Sequence, residues 1–555
     1  MAATNIVGNG GASVSHVGNV DETIPTISVK RRGIRGVLDD IKEYRTTYLV
    51  TFIASFGGML YGWDTGLIGG VLTMPAFQES FKIDPTSDHF ANLQGNIVSV
   101  LQGGCFFGAA SSFYVSDTFG RKYSLIFADI IFLIGSVIQT CCALGNTSLV
   151  PLYIGRFVGG FGVGLISATV PTYIGENANK EIRGRCIGCM QLFNVTGICL
   201  SYFVNYGIAV NKVLAPYSAL RWRIPFALQM LPGFFLLVGI IFQNETPRWL
   251  VEKDRIGEAR KALARVRSKP TDDPVVIKEL DEIVNDFSGH EGLSLWQQMK
   301  ASVANKQMLY PVSLAVILNF FQQWTGSNGI NYYSPQIFKS IGLQGNSAGL
   351  FATGIYGVVK IIITALGLCF ATEQLGRKYC LIIGSVGQAF AMYYIGIYTG
   401  VAPPVPGAAI TGGGIFSIIC VYLFVVFFSF GWGPIPYVLS AECCPNHLRS
   451  FTMALALMMQ WLCNFTIAKI TPLMLSGIGY GTFLVFGSSG IIMLLFTIFF
   501  VPETKNIPLE SIHLLFEGDI IKGCVKDMVP SKTRAREMKL VSEREDASGK
   551  GVNEV

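Results

Sequence analysis

Charged side chains are scarce in this sequence. Asp, Glu, Lys and Arg make up 14% of its 555 residues, whereas hydrophobic residues make up 51%. Soluble domains carry about 25% charged residues, so a string of soluble domains is excluded although the length would allow one. The few charges concentrate near 30–43, 245–306 and 503–555, and long apolar runs lie between these segments.

Regular alternation of apolar and polar residues is also missing, which argues against strands. A membrane helix needs about 20 mostly apolar residues. Windows of that size predict helices at 47–76, 94–115, 123–143, 148–171, 185–207, 223–243, 308–338, 348–371, 378–399, 413–440, 450–473 and 478–501. The 62 glycines suit helices that pack closely in lipid. The sequence therefore predicts an all-α membrane protein with twelve transmembrane helices in a lipid bilayer.

The residue clusters that enzymes and metalloproteins need are absent as well. The 13 cysteines have neither metal-ligand spacing nor the pattern of a secreted disulfide framework, and small buried residues explain them. No nucleophile with a matching base and orienting group is evident, so we expect no enzymatic activity, no metal and no cofactor. The first 45 residues are polar, so no cleavable signal peptide is predicted and the first helix itself must target the chain.

Basic residues mark one side of the membrane. They occur at 30–35, 121–122, 180–185, 377–378 and Arg449, whereas the loops at 144–147 and 400–412 have none. By the positive-inside rule both termini are cytoplasmic, with Arg221 and Arg223 as mild exceptions on the outer side. The net charge of +6 therefore requires no nucleic-acid partner.

The two halves of the chain repeat each other. Gly-Arg-Lys-Tyr follows the second predicted helix at 120–123 and the eighth at 376–379. Parallel repeats of this kind indicate two six-helix halves related by an axis normal to the membrane. The predicted organisation is a cytoplasmic tail at 1–46, a first half at 47–243, a helical linker at 244–307, a second half at 308–501 and a C-terminal cytoplasmic tail at 502–555.

Charged residues recur at matching places in the cytoplasmic loops of both halves. In each half an acid opens the Gly-Arg-Lys loop, and the loop two helices later has an acid seven residues before an arginine. These residues are Asp117, Arg121, Glu176 and Arg183 in the first half, and Glu373, Arg377, Glu442 and Arg449 in the second. We expect ion pairs among them to close the cytoplasmic side. The alternative is that the cations only set topology, but topology needs no acids.

A series of motifs runs through both halves in a fixed order. They are Gly-Arg-Phe-Val-Gly-Gly at 155–160, Pro-Thr-Tyr-Ile-Gly-Glu at 171–176, Glu-Thr-Pro-Arg-Trp-Leu at 245–250, Gln-Gln-Trp-Thr-Gly-Ser-Asn at 322–328 and Pro-Glu-Thr-Lys at 502–505. With the Gly-Arg-Lys loops, these motifs resemble the sugar porter family of the major facilitator superfamily over about residues 45–505. Asn244, where the family usually has Pro, is one departure. The segments at 322–326 and 354–360 look most similar to the fungal branch of quinate permeases and galacturonate carriers.

Two ionisable residues of the first half are predicted to lie deep in the membrane. Asp64 is in the first helix and Arg156 in the fourth, and both fall within one half-bilayer of the midplane. Membrane-buried charges are costly, so they indicate function. An Asp that gains and loses an Arg partner can bind and release a proton, and related proton symporters carry Asp here. We therefore expect Asp64 and Arg156 to couple transport to protons, with a static buried ion pair as the alternative.

The resemblance also implies a sugar site. Sugars need amides, which donate and accept hydrogen bonds, and aromatic rings that cover their C–H faces. The family's sugar-contacting positions correspond to Gln191, Gln322, Gln323, Asn328, Tyr437 and Gln460, with Tyr332 at a gate above them. Other members commonly have Trp at Tyr437, which leaves the ring preference open. The alternative for any single amide is a hydrogen bond between helices.

Lys360 is predicted to lie near the bilayer centre, in the eighth helix. A lone cation there needs an acid, water or an anionic ligand. Gly354 and Gly357 leave room beside it for a ligand or a helix. We expect Lys360 to recognise the carboxylate of a sugar acid; a lysine held by backbone carbonyls and water in the cavity wall is the alternative.

These features predict a secondary active carrier that works by alternating access. Its substrate would be a monosaccharide or a sugar acid, such as quinate, galacturonate, a pentose or a hexose, and its uptake would be coupled to protons. We expect a multi-pass protein of the plasma membrane that functions as a monomer. The alternatives are a facilitative uniporter and a nutrient sensor on the same fold, although sensors often have longer signalling tails.

Overall fold

The computed structural model of the chain describes residues 42–144, 147–179, 182–288, 295–343, 345–367, 375–405, 410–444, 448–505, 515–516 and 520–528. The chain divides into two units, Met1–Arg45 and Thr46–Val555. All structural features below lie within the second unit, apart from the first residue of the first membrane helix. Across the described ranges the secondary structure is helical, and no strand occurs.

The described residues form twelve membrane helices, as predicted. Ten helices of the described ranges are long and apolar enough to cross a membrane by length and composition. The first membrane helix and a broken seventh helix complete the set. The bounds in the first half are Arg45–Leu72, Phe90–Phe119, Arg121–Cys141, Val150–Asn177, Arg183–Val210, and Leu220–Leu228 continued by Met230–Ile241.

The second half has the same number of membrane helices, but two of them are irregular. The bounds are Lys306–Trp324 with Ser327–Ser340, Asn346–Leu366, Arg377–Val401, Gly412–Phe427 with a π-helical turn at Phe428–Trp432 and a continuation at Ile435–Cys443, Arg449–Gly477 and Gly481–Phe500. The seventh helix breaks at Gly326, whose φ of +85° is favourable only for glycine. Apolar windows predicted each irregular helix as one continuous segment, since such windows carry no information on a local break.

Short helices lie outside the membrane spans. They are Pro75–Ser80 after the first membrane helix, Pro247–Glu252, Ile256–Arg267, Pro274–Ser288 and Leu295–Ala304 between the halves, and Ile520–Lys526 after the last membrane helix. The predicted helical linker includes the stretch 251–267, in which charged residues alternate with Leu and Ala as in an amphipathic helix. The structure divides this stretch in two, because Asp254 takes a left-handed conformation with φ of +59°.

Small residues allow the membrane helices to pack backbone to backbone. A Cβ at Gly164 of the fourth helix would strike the carbonyl of Cys105 in the second helix, and one at Gly62 of the first helix would strike the carbonyl of Asn194 in the fifth. The halves meet along two helix pairs, the second with the eleventh and the fifth with the eighth. The inner faces of these helices therefore define the interface between the halves.

Candidate functional site

Asp64 and Arg156 form an ion pair inside the first half. Arg156 Nη1 lies 3.5 Å from Asp64 Oδ1, and each side chain is only 1% exposed. Among the described residues, Asp64 Oδ2 and Arg156 Nε and Nη2 have no hydrogen-bond partner. One long contact thus joins two buried charges that retain hydrogen-bonding capacity, and such a pair can exchange partners more easily than a bidentate one.

A chain of amide side chains begins at the end of the seventh helix's first segment. Gln322 Nε2 donates to the backbone carbonyls of Trp432 at 3.1 Å and Gly433 at 2.8 Å, beside the π-helical turn. Gln323 Nε2 donates to Gln322 Oε1 at 3.3 Å, and Asn328 Nδ2 donates to Gln323 Oε1 at 2.6 Å. The break at Gly326 lets the amides on either side of it meet.

The amide chain continues to Lys360. Asn331 Nδ2 donates to Asn328 Oδ1 at 3.1 Å, and Asn331 Oδ1 accepts from Lys360 Nζ at 3.2 Å. The ammonium also lies 5.9 Å from the ring centre of Tyr356 and 5.6 Å from that of Phe428. Lys360 is 4% exposed, and no carboxylate of the described residues pairs with it. The second half therefore buries a cation that has amide and aromatic neighbours but no acid among the described residues.

A neighbouring helix fills the space beside the two glycines that precede Lys360. A Cβ at Gly357 would lie 2.9 Å from Cα of Cys199, and one at Gly354 would lie 3.0 Å from the ring of Phe203. Both contacts come from the fifth membrane helix. Of the two occupants considered for this space, a helix or a ligand, the structure places the helix there.

Tyr332 joins the two halves next to the amide chain. Its hydroxyl lies 2.8 Å from the Gln102 amide of the second helix and donates to Asn464 Oδ1 of the eleventh helix at 3.1 Å. The preceding residue, Asn331, accepts a 2.8 Å hydrogen bond on its backbone carbonyl from the hydroxyl of Tyr202. The second segment of the seventh helix is thus held against the first half.

The remaining predicted sugar contacts lie on three other helices. Gln191 is half-buried on the fifth helix, next to Met190, whose carbonyl contacts Gly58 of the first. Tyr437 is half-buried after the π-helical turn, and its hydroxyl interacts with the side chain of Gln460. Gln460 is buried, and its Oε1 has no hydrogen-bond partner in the part of the chain that the structure describes.

A charged cluster ties together the helix ends of the first half that the sequence predicts to be cytoplasmic. Arg121 Nη2 lies 3.1 Å from Glu176 Oε1, and Arg121 Nη1 lies 3.5 Å from Asp117 Oδ1. Glu245 accepts from the backbone N–H groups of Arg121 and Lys122, each at 3.0 Å. Thr246 Oγ1 donates to Glu176 at 2.5 Å. Each of these contacts lies within the first half or joins it to the start of the linker.

The second half has a matching cluster. Arg377 Nη2 lies 2.8 Å from Glu442 Oε1, and Thr504 Oγ1 donates to Glu442 at 2.7 Å. Glu503 accepts from the backbone N–H groups of Arg377 at 3.0 Å and Lys378 at 3.1 Å. The sequence repeat is therefore accompanied by equivalent hydrogen bonds in the two halves.

Burial raises the pKa of both Glu245 and Glu503, although the backbone N–H groups that they accept from oppose this rise. Two positive-φ glycines, Gly120 and Gly376, let each carboxylate approach the start of the following helix: a Cβ at either position would strike the Glu carboxylate. The carboxylates also lie at helix N-termini, where negative charge is favourable.

Some predicted gate residues cannot be placed. Glu373 lies outside the described residues, and the side chain of Arg449 is not described, although Arg449 begins the eleventh membrane helix. Arg183 begins the fifth membrane helix at the equivalent position. The gate role of all eight residues stays a prediction.

Sequence reasoning missed several residues of these networks. Glu245 and Glu503 were quoted only as parts of motifs, although Glu-Thr at 245–246 and at 503–504 is a third echo between the halves that could have identified them. Asn331 and Tyr356 were also missed. No local pattern distinguishes them, because their significance depends on the packing of the seventh helix against the eighth.

Comparison with known protein families gives one match over most of the chain. The family described as "Sugar (and other) transporter" matches residues 50–516. A probable quinate permease of Aspergillus fumigatus is 39% identical over 477 residues, which cover 85% of this chain and 87% of the relative. The quinate permease of Emericella nidulans is 36% identical over 476 residues, covering 85% and 88%.

Solved structures give the same fold. The proton:xylose symporter XylE bound to 6-bromo-6-deoxy-D-glucose is similar with a TM-score of 0.71 and 28% identity, covering 86% of this chain and 100% of that structure. A partially occluded inward-open conformation of XylE from E. coli has a TM-score of 0.68 and 29% identity, covering 83% and 99%. These similarities confirm the predicted two-half, twelve-helix architecture.

Proposed function

Because the chain belongs to the sugar transporter family, we propose that it is a proton-coupled carrier that takes up a carboxylated cyclic polyol such as quinate. Members of this family are multi-pass membrane carriers of sugars and related compounds, and transporters are not an enzyme class. The anionic substrate and the proton are the finer parts of the proposal. The quinate permeases at 36–39% identity support the substrate class.

The observation that carries the substrate class is the environment of Lys360. Its ammonium is buried and has one amide oxygen and two aromatic rings beside it, but no carboxylate of the described residues. Keeping a cation unpaired in the membrane is expensive. A neutral sugar offers it no charge, whereas a sugar acid brings a carboxylate that can pair with it. The buried charge of Lys360 then has a function, because the substrate carboxylate forms an ion pair with it.

The amides supply the contacts to the hydroxyl groups of the substrate. Gln322, Gln323 and Asn328 form a connected row that ends at Lys360 through Asn331. The row can bind a ring whose carboxylate points to the lysine. Gln191, Tyr437 and Gln460 belong to the proposed site from the other helices, and Tyr332 belongs to its outer gate.

The ion pair of Asp64 and Arg156 is the proposed proton site. A single contact at 3.5 Å leaves Asp64 able to accept a proton when Arg156 turns away. Protonation would remove the charge that holds Arg156 toward the first helix, and the first half could then rearrange. The similarity to a proton:xylose symporter supports this coupling.

The proposal also covers the membrane location, the orientation and the domain organisation of the carrier. The basic loops support cytoplasmic termini, and the plasma membrane location and the domain boundaries are those predicted from the sequence. The gate residues would close the cytoplasmic side in a carrier that functions as a monomer in the lipid bilayer.

Uptake in cells that lack their own carriers tests the function. We expect labelled quinate or galacturonate to accumulate, with unlabelled sugar acid competing and a protonophore abolishing accumulation. Neutral-sugar symport is the second candidate, since the structural neighbour XylE carries xylose. Uptake of xylose without any uptake of sugar acids would replace the first proposal by the second. Equilibration that a protonophore does not affect would indicate a uniporter, and binding without transport would indicate a sensor.

A further inference from the structure

Two donors converge on a single oxygen atom next to the proposed substrate site. Asn331 Oδ1 accepts from Lys360 Nζ and from the Tyr356 hydroxyl, each at 3.2 Å. Asn331 and Tyr356 are 2% and 0% exposed, so this arrangement is shielded from solvent. A buried ammonium and a buried hydroxyl that point at one oxygen are the donors that a carboxylate needs.

We infer that Asn331 Oδ1 occupies the position of a substrate carboxylate oxygen, and that Lys360 and Tyr356 together form the carboxylate subsite. This inference rests on the proposed function and adds two specificity-determining residues to it. In the empty carrier the Asn331 amide satisfies both donors. An incoming carboxylate displaces the amide and takes both hydrogen bonds, with the charge that the amide lacks.

The surroundings of Asn331 allow this exchange. It lies between two irregular points of the seventh helix, Gly326 with φ of +85° and Tyr333 with φ of −120° and ψ of 18°, so its segment can move relative to the first segment of that helix. Its Nδ2 is already tied to Asn328 in the amide row. Displacing Oδ1 therefore shifts a residue that also contacts the sugar-binding amides.

The same residue reaches the outer gate. The Asn331 backbone carbonyl accepts from Tyr202 of the first half at 2.8 Å, and Tyr332 follows it directly. A carboxylate that moves Asn331 thus acts on the contacts that hold the seventh helix against the first half. A neutral sugar has no carboxylate with which to displace the amide, so this step distinguishes acids from neutral sugars.

Binding of radiolabelled quinate to the purified full-length carrier tests the inference. Asn331→Asp puts a permanent carboxylate beside Lys360 and Tyr356, so quinate affinity should fall roughly tenfold or more. Asn331→Ala removes the competing oxygen and should raise quinate affinity roughly fivefold or more. Tyr356→Phe removes one donor and should lower affinity roughly fivefold or more. Thermal midpoints and size-exclusion profiles show whether each variant is folded.

The outcomes separate the two proposals. Wild-type carrier that binds neither quinate nor galacturonate would overturn the proposed function and this inference with it. Wild-type carrier that binds quinate, with a folded N331D variant of unchanged affinity, would overturn the inference alone, as would equal weakening by N331D and N331A. Should N331D not fold, unchanged quinate affinity of Y356F would still overturn it.

Discussion

Each half of the carrier buries a cation within a membrane helix, Arg156 in the first half and Lys360 in the second, and the two cations differ in their partners. Arg156 of the first half lies 3.5 Å from the carboxylate of Asp64. Lys360 of the second half contacts an amide oxygen and two aromatic rings, and no acid among the described residues. A buried cation with a built-in acid suits proton exchange, whereas a buried cation without one suits an anionic ligand. Under the proposed function, the two halves supply different parts of one transport cycle.

The largest expected effect comes from breaking the ion pair between Asp64 and Arg156 in the first half. Asp64→Asn keeps the size of the side chain and removes its charge, so proton-driven accumulation of labelled quinate should be abolished while exchange of quinate across the membrane persists. Uptake against a gradient and counterflow in proteoliposomes measure the two activities. Full concentrative uptake by the mutant, at normal surface expression, would contradict the proton role.

Asn328→Ala tests the second half, in which Lys360 has no acid partner among the described residues. It removes one amide between Gln323 and Asn331 without touching Lys360, and quinate affinity should fall roughly 5- to 150-fold, as for the loss of about 1–3 kcal/mol. Gln322→Ala and Gln323→Ala should act in the same direction, and Gln322→Ala should also lower thermal stability, because Gln322 anchors two backbone carbonyls. Wild-type affinity in all three variants would place the site elsewhere.

The comparison extends to the two clusters of charged loop residues, where the halves agree. Glu176→Gln and Glu442→Gln each weaken the equivalent contact to Arg121 or Arg377, and each should bias the carrier toward the inward-open state. The buried Cys443 and Cys444 are native reporters, and their labelling by a membrane-impermeant maleimide in inside-out vesicles should rise in Glu176→Gln. Glu258→Gln, in an exposed pair with Arg255, is the matched control. Labelling equal to that of the control would favour a purely topological role.

The smallest expected effect is on pH dependence. Burial raises the pKa of Glu503, so the folded state holds this proton more tightly than the unfolded state does. Its contribution to stability is then present at low pH and declines as pH rises through the raised pKa. Glu503→Gln should flatten the fall in the thermal midpoint over this window. An unchanged pH profile would show that the backbone N–H groups compensate for burial.

The sequence predicted the fold well because membrane helices follow from local composition. Runs of about 20 apolar residues located the twelve helices, and the repeated loops divided them into halves. The break at Gly326 and the π-helical turn at 428–432 escaped prediction, since both lie inside continuous apolar windows. Asp64, Arg156 and Lys360 stood out as charges within those windows. Asn331 and Tyr356 did not, because a hydrogen bond between two helices depends on how they rotate and pack.

The most direct test of the account is quinate uptake by Lys360→Met, which keeps the volume of the side chain and removes its charge. A substrate carboxylate that loses its buried partner should cost about 3–5 kcal/mol, so quinate uptake should fall by roughly 100-fold or more. Any uptake of neutral sugar should survive at the wild-type level. Quinate uptake that persists in the variant, or equal loss of acid and neutral substrates, would contradict the role of Lys360 as the carboxylate partner.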